Sequence, residues 1–175
     1  AREAMLDVAL SLAPRAELAE RGSGLFFSEG AVYVDASGIE ALHANESAFA
    51  SMLHARAERA GIQGVVALAS SRGIARLVAR HLTHRPDSAT IETTRILSPE
   101  DELDFLSPLP IDLLDPDDRT AQPLTRFGLV CIRDLLRLPR RDLAARLGPQ
   151  ILTLVARARG EEEENPLAEP HVGCL

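Results

Sequence analysis

The sequence predicts an α/β (α+β) module followed by a small all-helical module, and three observations carry that prediction. Strand-like and helix-like hydrophobic patterns alternate up to residue 106. Strand signals stop at Ser107-Pro108. Short helical patterns broken by Gly and Pro then fill the stretch to residue 160.

Residues 2–12 place Met5, Leu6, Ala9, Leu10 and Leu12 at helical spacing, and Pro14 ends the pattern. Ala16–Leu18 is a candidate short strand, followed by a turn at Arg21-Gly22-Ser23-Gly24 and the apolar Leu25-Phe26-Phe27. After Gly30, Ala31-Val32-Tyr33-Val34-Asp35 reads as a strand closed by Ser37-Gly38. Residues 46–60 predict a helix with Phe49, Met52, Leu53 and Ala57 on one face and Gly61 as its cap. Val65 to Ala69 is a buried strand, and 72–84 a second helix with Ile74, Leu77, Val78 and Leu82 inward. Pro86-Asp87 is a loop, Thr90 to Leu97 a strand, and Ser98-Pro99-Glu100-Asp101 a capped helix start. The β-α-β-α-β order is that of an α/β layer. Beyond it, helices are expected at 117–127, 132–137, 140–147 and 149–159, separated by Phe127-Gly128, Pro139 and Gly148-Pro149. The acidic run Glu161 to Glu164 and Pro166 read as a linker. The expected division is therefore 1–106, 107–160 and an acidic 161–175.

Of the 175 residues, 46% are apolar but only 3% aromatic, with no Trp and the single Tyr33, so the core must come from Ala, Leu, Val and Ile. All 19 basic residues are Arg, which with the Ala, Leu and Pro content reflects GC-rich coding rather than function. The net charge of −7 excludes a chain coated in positive field. Its distribution is uneven. Residues 1–106 carry a net −5, residues 107–160 a net +3 from nine Arg and six acids, and residues 161–175 a net −5. Cys131 and Cys174 have no metal or CxxC spacing and read as free thiols, which fits a reducing cytoplasm. No apolar run long enough to span a membrane and no signal peptide is present, so a soluble protein is expected. The first residue is not Met and the chain opens inside a helical pattern, so the expectation is a piece of a longer protein.

Arg72, Arg76 and Arg80 recur every four residues, with His84 next in step, and no acid lies between Glu58 and Asp87. Such a stripe suits contact with phosphates, and equally suits a solvated helix face. Ser70-Ser71-Arg72-Gly73 joins a strand to a helix in a geometry able to hold an anion. Arg133, Arg137, Arg140, Arg141 and Arg146 form a second basic group, open to the same two readings. His43, His54, His81, His84 and His171 have no Cys or carboxylate at metal spacing and read as surface or boundary residues. No Ser-His-Asp arrangement, P-loop or G-x-G-x-x-G occurs. The residues alone therefore name no catalytic group, no metal site and no cofactor.

An ordered series in the helical module carries a family resemblance. It runs Leu109-Pro110, Phe127-Gly128-Leu129, Ile132-Arg133-Asp134-Leu135, Leu138-Pro139, Leu143 to Pro149 and Ala158-Arg159-Gly160. The series resembles the thumb of Y-family, translesion DNA polymerases, whose helix-hairpin-helix elements grip the DNA backbone. In front of it, Val32-Tyr33-Val34-Asp35 resembles the end of the family's S-[IV]-D-E-[AV]-[YF]-L-D strand, and Ala67 to Arg80 resembles the segment that follows. The resemblance implies a partial ferredoxin-like palm over 1–106, a helix-hairpin-helix-like thumb over 107–160 and a linker toward a little-finger domain. It departs from the family where chemistry would occur. Polymerases hold two Mg²⁺ ions on carboxylates, and the family's Asp-Glu pair falls here on Gly30 and Ala31, whose side chains offer no oxygen. Glu29 is adjacent, but a one-residue slip on a strand turns a side chain to the opposite face. Asp35 matches an Asp that is not one of the metal-binding pair. Arg85-Pro86-Asp87-Ser88 resembles the family's K-P-N-G-like triphosphate segment if two extra residues precede it. The family's P-G-[IV]-G hairpin is replaced by Leu114-Asp115-Pro116-Asp117-Asp118, where three carboxylates would repel phosphate.

The loss resembles the ImuB-type branch, which keeps the polymerase body without its active site. The resemblance then implies a non-catalytic, DNA-associated scaffold of SOS-induced mutagenesis and DNA repair. Such a protein is bacterial, cytoplasmic and nucleoid-associated. It bridges the sliding clamp, an ImuA-type partner and a separate error-prone polymerase on primer-template DNA, with no membrane. The alternatives are an active error-prone Y-family polymerase using Mg²⁺, with its ligands misaligned or upstream, and a helix-hairpin-helix adaptor joined to an unrelated α/β domain.

Overall fold

The computed structural model describes residues 2–19, 30–39, 43–84, 92–162 and Leu167. The fold is mixed α/β, mostly helical with small sheets, as the sequence predicts. Its elements are α1 (Arg2–Leu10), β1 (Ala16–Leu18), β2 (Val32–Val34), α2 (Glu46–Arg59), β3 (Val66–Leu68), α3 (Arg72–Thr83), β4 (Thr94–Ile96) and α4 (Glu102–Leu106). A 3₁₀ turn (Ile111–Leu114), α5 (Asp118–Arg126), α6 (Ile132–Leu136), α7 (Arg140–Leu147) and α8 (Ile151–Arg159) follow. The expected turn 21–24, Leu25–Phe27, Glu29, Arg85 to Ser88, Glu163 to Pro166, His171 and Cys174 lie outside the described residues.

The chain divides into two compact units. The first holds the described residues up to Leu68 together with 92–96, and the second holds 69–84 and 97–162. Helices α3 and α4 thus group with the C-terminal helices.

In the first unit, β1 pairs antiparallel with β2 through Ala16↔Val34 and Leu18↔Val32. β3 pairs parallel with β4 through Val66↔Thr94 and Leu68↔Ile96, so the described strands form two two-stranded sheets. A small core of Ala13, Ile39 and Phe49 is joined by Leu12, Val34, Leu53 and Leu68. Helix α2 starts at Asn45, whose side chain accepts from the Ala48 amide at 2.8 Å and satisfies one open donor of the first turn. Its buried face is Phe49 and Ala50 with Leu53 and Ala57 half-buried, while Met52, expected on that face, is 45% exposed. The face is turned toward Ala50 because a small residue permits closer approach than Met52 does.

The second unit contains most of the fully buried side chains, among them Ile74, Val78, Leu106, Leu114, Leu124, Ile132, Leu135 and Ile151. Ile74, Leu77, Val78 and Leu82 all point inward from α3, as their spacing predicts. The 3₁₀ turn, absent from the sequence reading, buries Ile111, Leu113 and Leu114. Main-chain bonds clamp the segment before it to the start of α6: Ile111 N–H to Val130 O, Ile132 N–H to Leu109 O and Arg133 N–H to Ser107 O, each 2.9 Å.

Candidate nucleic-acid interface

Gly30, Ala31 and Asp35 belong to the first unit. Gly30 has φ +99°, and a Cβ built there would lie 3.3 Å from Arg2 Cγ. An acidic residue would be both strained and crowded at this position. The Ala31 carbonyl accepts from the Ala19 amide at 2.9 Å, extending the β1–β2 pairing. The Asp35 carboxylate accepts from the Ser37 hydroxyl and, at 2.9 Å, from the Ser37 amide. These bonds, helped by the Arg15 charge, hold its carboxyl below the usual carboxylate range. Asp35 therefore closes a turn after the strand.

The α3 stripe does not form one open basic face. Residues four apart advance by roughly 40° around a helix, so the row winds toward the apolar side. Arg72 and Arg76 are half-buried, and Arg80 is only 4% exposed, with Nη2 3.9 Å from Asp115 Oδ1. Burial depresses the Arg80 pKa, Asp115 opposes that shift, and the Arg76 and Arg157 charges add to it. Arg80 is thus an interior ion-pair residue, closed to a ligand on the outer surface. His84 is exposed, and its Nδ1 lies 3.0 Å from Arg80 O at the helix end. The Ser70-Ser71 loop already holds an anion: Glu102, 8% exposed, accepts from the Ser70 amide at 2.6 Å and its hydroxyl at 2.8 Å. Ser71 Oγ accepts from the Ile74 amide at 3.2 Å and caps α3.

The Leu114-Asp115-Pro116-Asp117 segment joins the 3₁₀ turn to α5. Asp115 has φ +57°, a left-handed conformation that glycine adopts without strain and that Asp tolerates. Arg157 Nη1 donates to Leu114 O at 2.9 Å and Asp115 O at 3.3 Å. The Asp117 carboxylate accepts from the Thr120 amide at 2.9 Å, taking a donor at the start of α5. Arg157 was not among the sequence candidates. Its distance in sequence from Asp115 hides the pairing, and only its place in the last turn of α8 hints at a carbonyl-binding role.

Arg133, Arg137, Arg140, Arg141 and Arg146 are exposed on α6, α7 and the turn between them. Arg140 also pairs with Glu161. The start of α6 is pinned by Asp134, whose Oδ2 accepts from the Cys131 amide at 3.0 Å, the Cys131 thiol at 3.1 Å and the Val130 amide at 3.1 Å. The Cys131 amide bond leads in holding the Asp134 carboxyl below its usual range. The unfolded chain binds this proton more readily than the folded one. The stabilisation is therefore complete above the ordinary carboxylate pKa of 3.8 and is lost as pH falls through the lower folded value. Asp134→Asn is expected to flatten the acid limb of stability against pH, read from urea midpoints below about pH 5. An unchanged acid limb would remove Asp134 from that role.

Among the described residues, no group of three or more His, Cys, Asp or Glu is placed to hold a metal ion, and no helix is long and apolar enough to cross a membrane.

The fold matches "Dbh Ternary Complex (substrates partially disordered)" at TM-score 0.63 and 20% identity, over 96% of this chain and 46% of that one. It matches DinB from Sulfolobus solfataricus at TM-score 0.61 and 19% identity, over 96% and 47%. The chain is therefore Y-family polymerase-like in fold. In sequence it is similar to Protein ImuB of Caulobacter vibrioides, in strains NA1000 / CB15N and ATCC 19089, at 29% identity over 164 residues. That alignment covers 94% of this chain and 32% of the relative, so the chain spans about a third of the curated proteins it matches. No family model matches the chain.

Proposed function

We propose that this chain is a non-catalytic, DNA-facing element of a polymerase-like scaffold in translesion synthesis, SOS-induced mutagenesis and DNA repair. The observation that carries the proposal is the pair Gly30 and Ala31 just ahead of β2, at the positions where the resembling polymerases carry Asp-Glu, with Gly30 at φ +99°. Two-metal nucleotidyl transfer needs hard oxygen ligands there. The similarity to ImuB supports this reading. On it, residues 1–106 act as palm, 107–160 as a helix-hairpin-helix-like thumb and 161–175 as a linker to a little-finger domain. The exposed Arg133, Arg137, Arg140 and Arg141 touch backbone phosphate. A sliding clamp, an ImuA-type protein and a separate error-prone polymerase are its assembly partners at the bacterial nucleoid.

Primer extension by the purified protein with Mg²⁺ or Mn²⁺ is expected to yield no template-dependent product, and such product would overturn the proposal. It would favour an active error-prone polymerase, a reading motivated by the polymerase structures the fold matches. Binding to primer-template DNA is expected to be weak and salt-sensitive. Reversing Arg133, Arg137, Arg140 and Arg141 to Glu should lower affinity at least about tenfold at low salt and flatten the log K–log salt slope by roughly 3. Unchanged binding would return these arginines to ordinary solvated surface.

A further inference from the structure

Resting on the reading of Arg140 as a phosphate contact, we propose that the acidic segment after α8 is an intramolecular competitor of nucleic-acid backbone. Glu161 occupies the guanidinium that a phosphate would take. Two consecutive glutamates build the device. Arg140 Nη2, at the start of α7, donates to Glu161 Oε2. Arg157 Nε, in the last turn of α8, donates to Glu162 Oε1 at 2.8 Å. Among the described residues, Arg133, Arg137 and Arg141 form no ion pair, so the competition falls on one arginine of the exposed group.

The end of α8 sets the direction of this segment. Gly160 has φ +66°, its amide donates to Arg157 O at 3.1 Å, and the Glu161 amide donates to Ala156 O at 2.9 Å. These two bonds are those of a Schellman motif, which fixes the path of the chain as it leaves the helix. Glu162 is the anchor. The arginine that holds it is turned inward, since Arg157 Nη1 donates to the carbonyls of Leu114 and Asp115. Glu161 is the displaceable partner. It is 47% exposed and Arg140 54%, so water and salt screen the pair and it opens readily. Carboxylate and phosphate engage the same guanidinium fork. A duplex presents a dense row of phosphates, whose field outweighs one exposed carboxylate. Glu161 therefore weakens backbone binding without closing the surface.

The test is a double-mutant cycle on the full chain, read by fluorescence anisotropy of a labelled primer-template duplex at low salt. Glu161→Gln is expected to tighten binding about two- to fivefold, in keeping with the release of one exposed pair. In an Arg140→Gln background the same substitution should leave affinity unchanged, because the arginine it frees is gone. In an Arg137→Gln background the full gain should remain. A gain of affinity does not come from misfolding, and circular dichroism checks the arginine variants. Equal tightening in the wild-type and Arg140→Gln backgrounds would assign the effect to net charge alone and overturn the proposal. No tightening by Glu161→Gln would overturn it as well. If binding then still weakens on reversal of Arg133, Arg137 and Arg141 to Glu, the competitor falls and the phosphate-contact reading stands. If reversal has no effect either, both fall.

Discussion

Gly160→Ala is expected to destabilise the helical unit by about 2–4 kcal/mol, read as a lowered urea midpoint with an unchanged slope. Gly160 ends α8 at φ +66°, and a Cβ there would lie 2.5 Å from Ser71 Oγ and 2.8 Å from Ile74 Cγ1. Two costs add. A left-handed non-glycine residue costs roughly 1–2 kcal/mol. The clash then forces either Ile74, which is 2% exposed, or the Ser71 hydroxyl that caps α3 to move. Gly128→Ala separates these costs, because Gly128 has φ +68° with nothing within 4 Å of a built Cβ. It should cost only about 1 kcal/mol. Equal losses at the two positions would show that the approach of α8 to α3 is looser than described.

Glu102→Ala is expected to cost about 2–3 kcal/mol, since two hydrogen bonds to a charged acceptor are lost where β3 passes into α3. The carboxylate binds both the amide and the hydroxyl of Ser70, 32 residues away in sequence. Glu102→Gln keeps an acceptor and loses the charge, so its loss should fall between wild type and Glu102→Ala. Ser70→Ala in the Glu102→Ala background should add little, as the two share one interaction. Full additivity of the two substitutions would show that Glu102 stabilises the unit by some other contact.

Much of the architecture was legible because hydrophobic period is a local property. Val32–Val34, Val66–Leu68 and the inward face Ile74, Leu77, Val78 and Leu82 fall where alternation or helical spacing puts them. Gly and Pro marked the helix ends of the C-terminal region, because backbone freedom and a missing N–H act within a few residues. The exposed arginines of α6 and α7 were likewise readable, being surface charges on short helices. Met52 was misplaced because period alone gives a face only to within a residue. The size of the neighbour, here Ala50, chooses the final rotation.

The sequence by itself determined the α/β-then-helical order, the low aromatic content of the core, the uneven charge and the Gly30-Ala31 pair ahead of Val32–Val34. These depend on residue identity and near neighbours. Tertiary structure alone decided which charges face water. It drew Arg80 inside against Asp115, filled the Ser70-Ser71 loop with Glu102 and seated Glu162 on Arg157. The physical reason is that burial of a charge depends on partners dozens of residues away, and no local period encodes them.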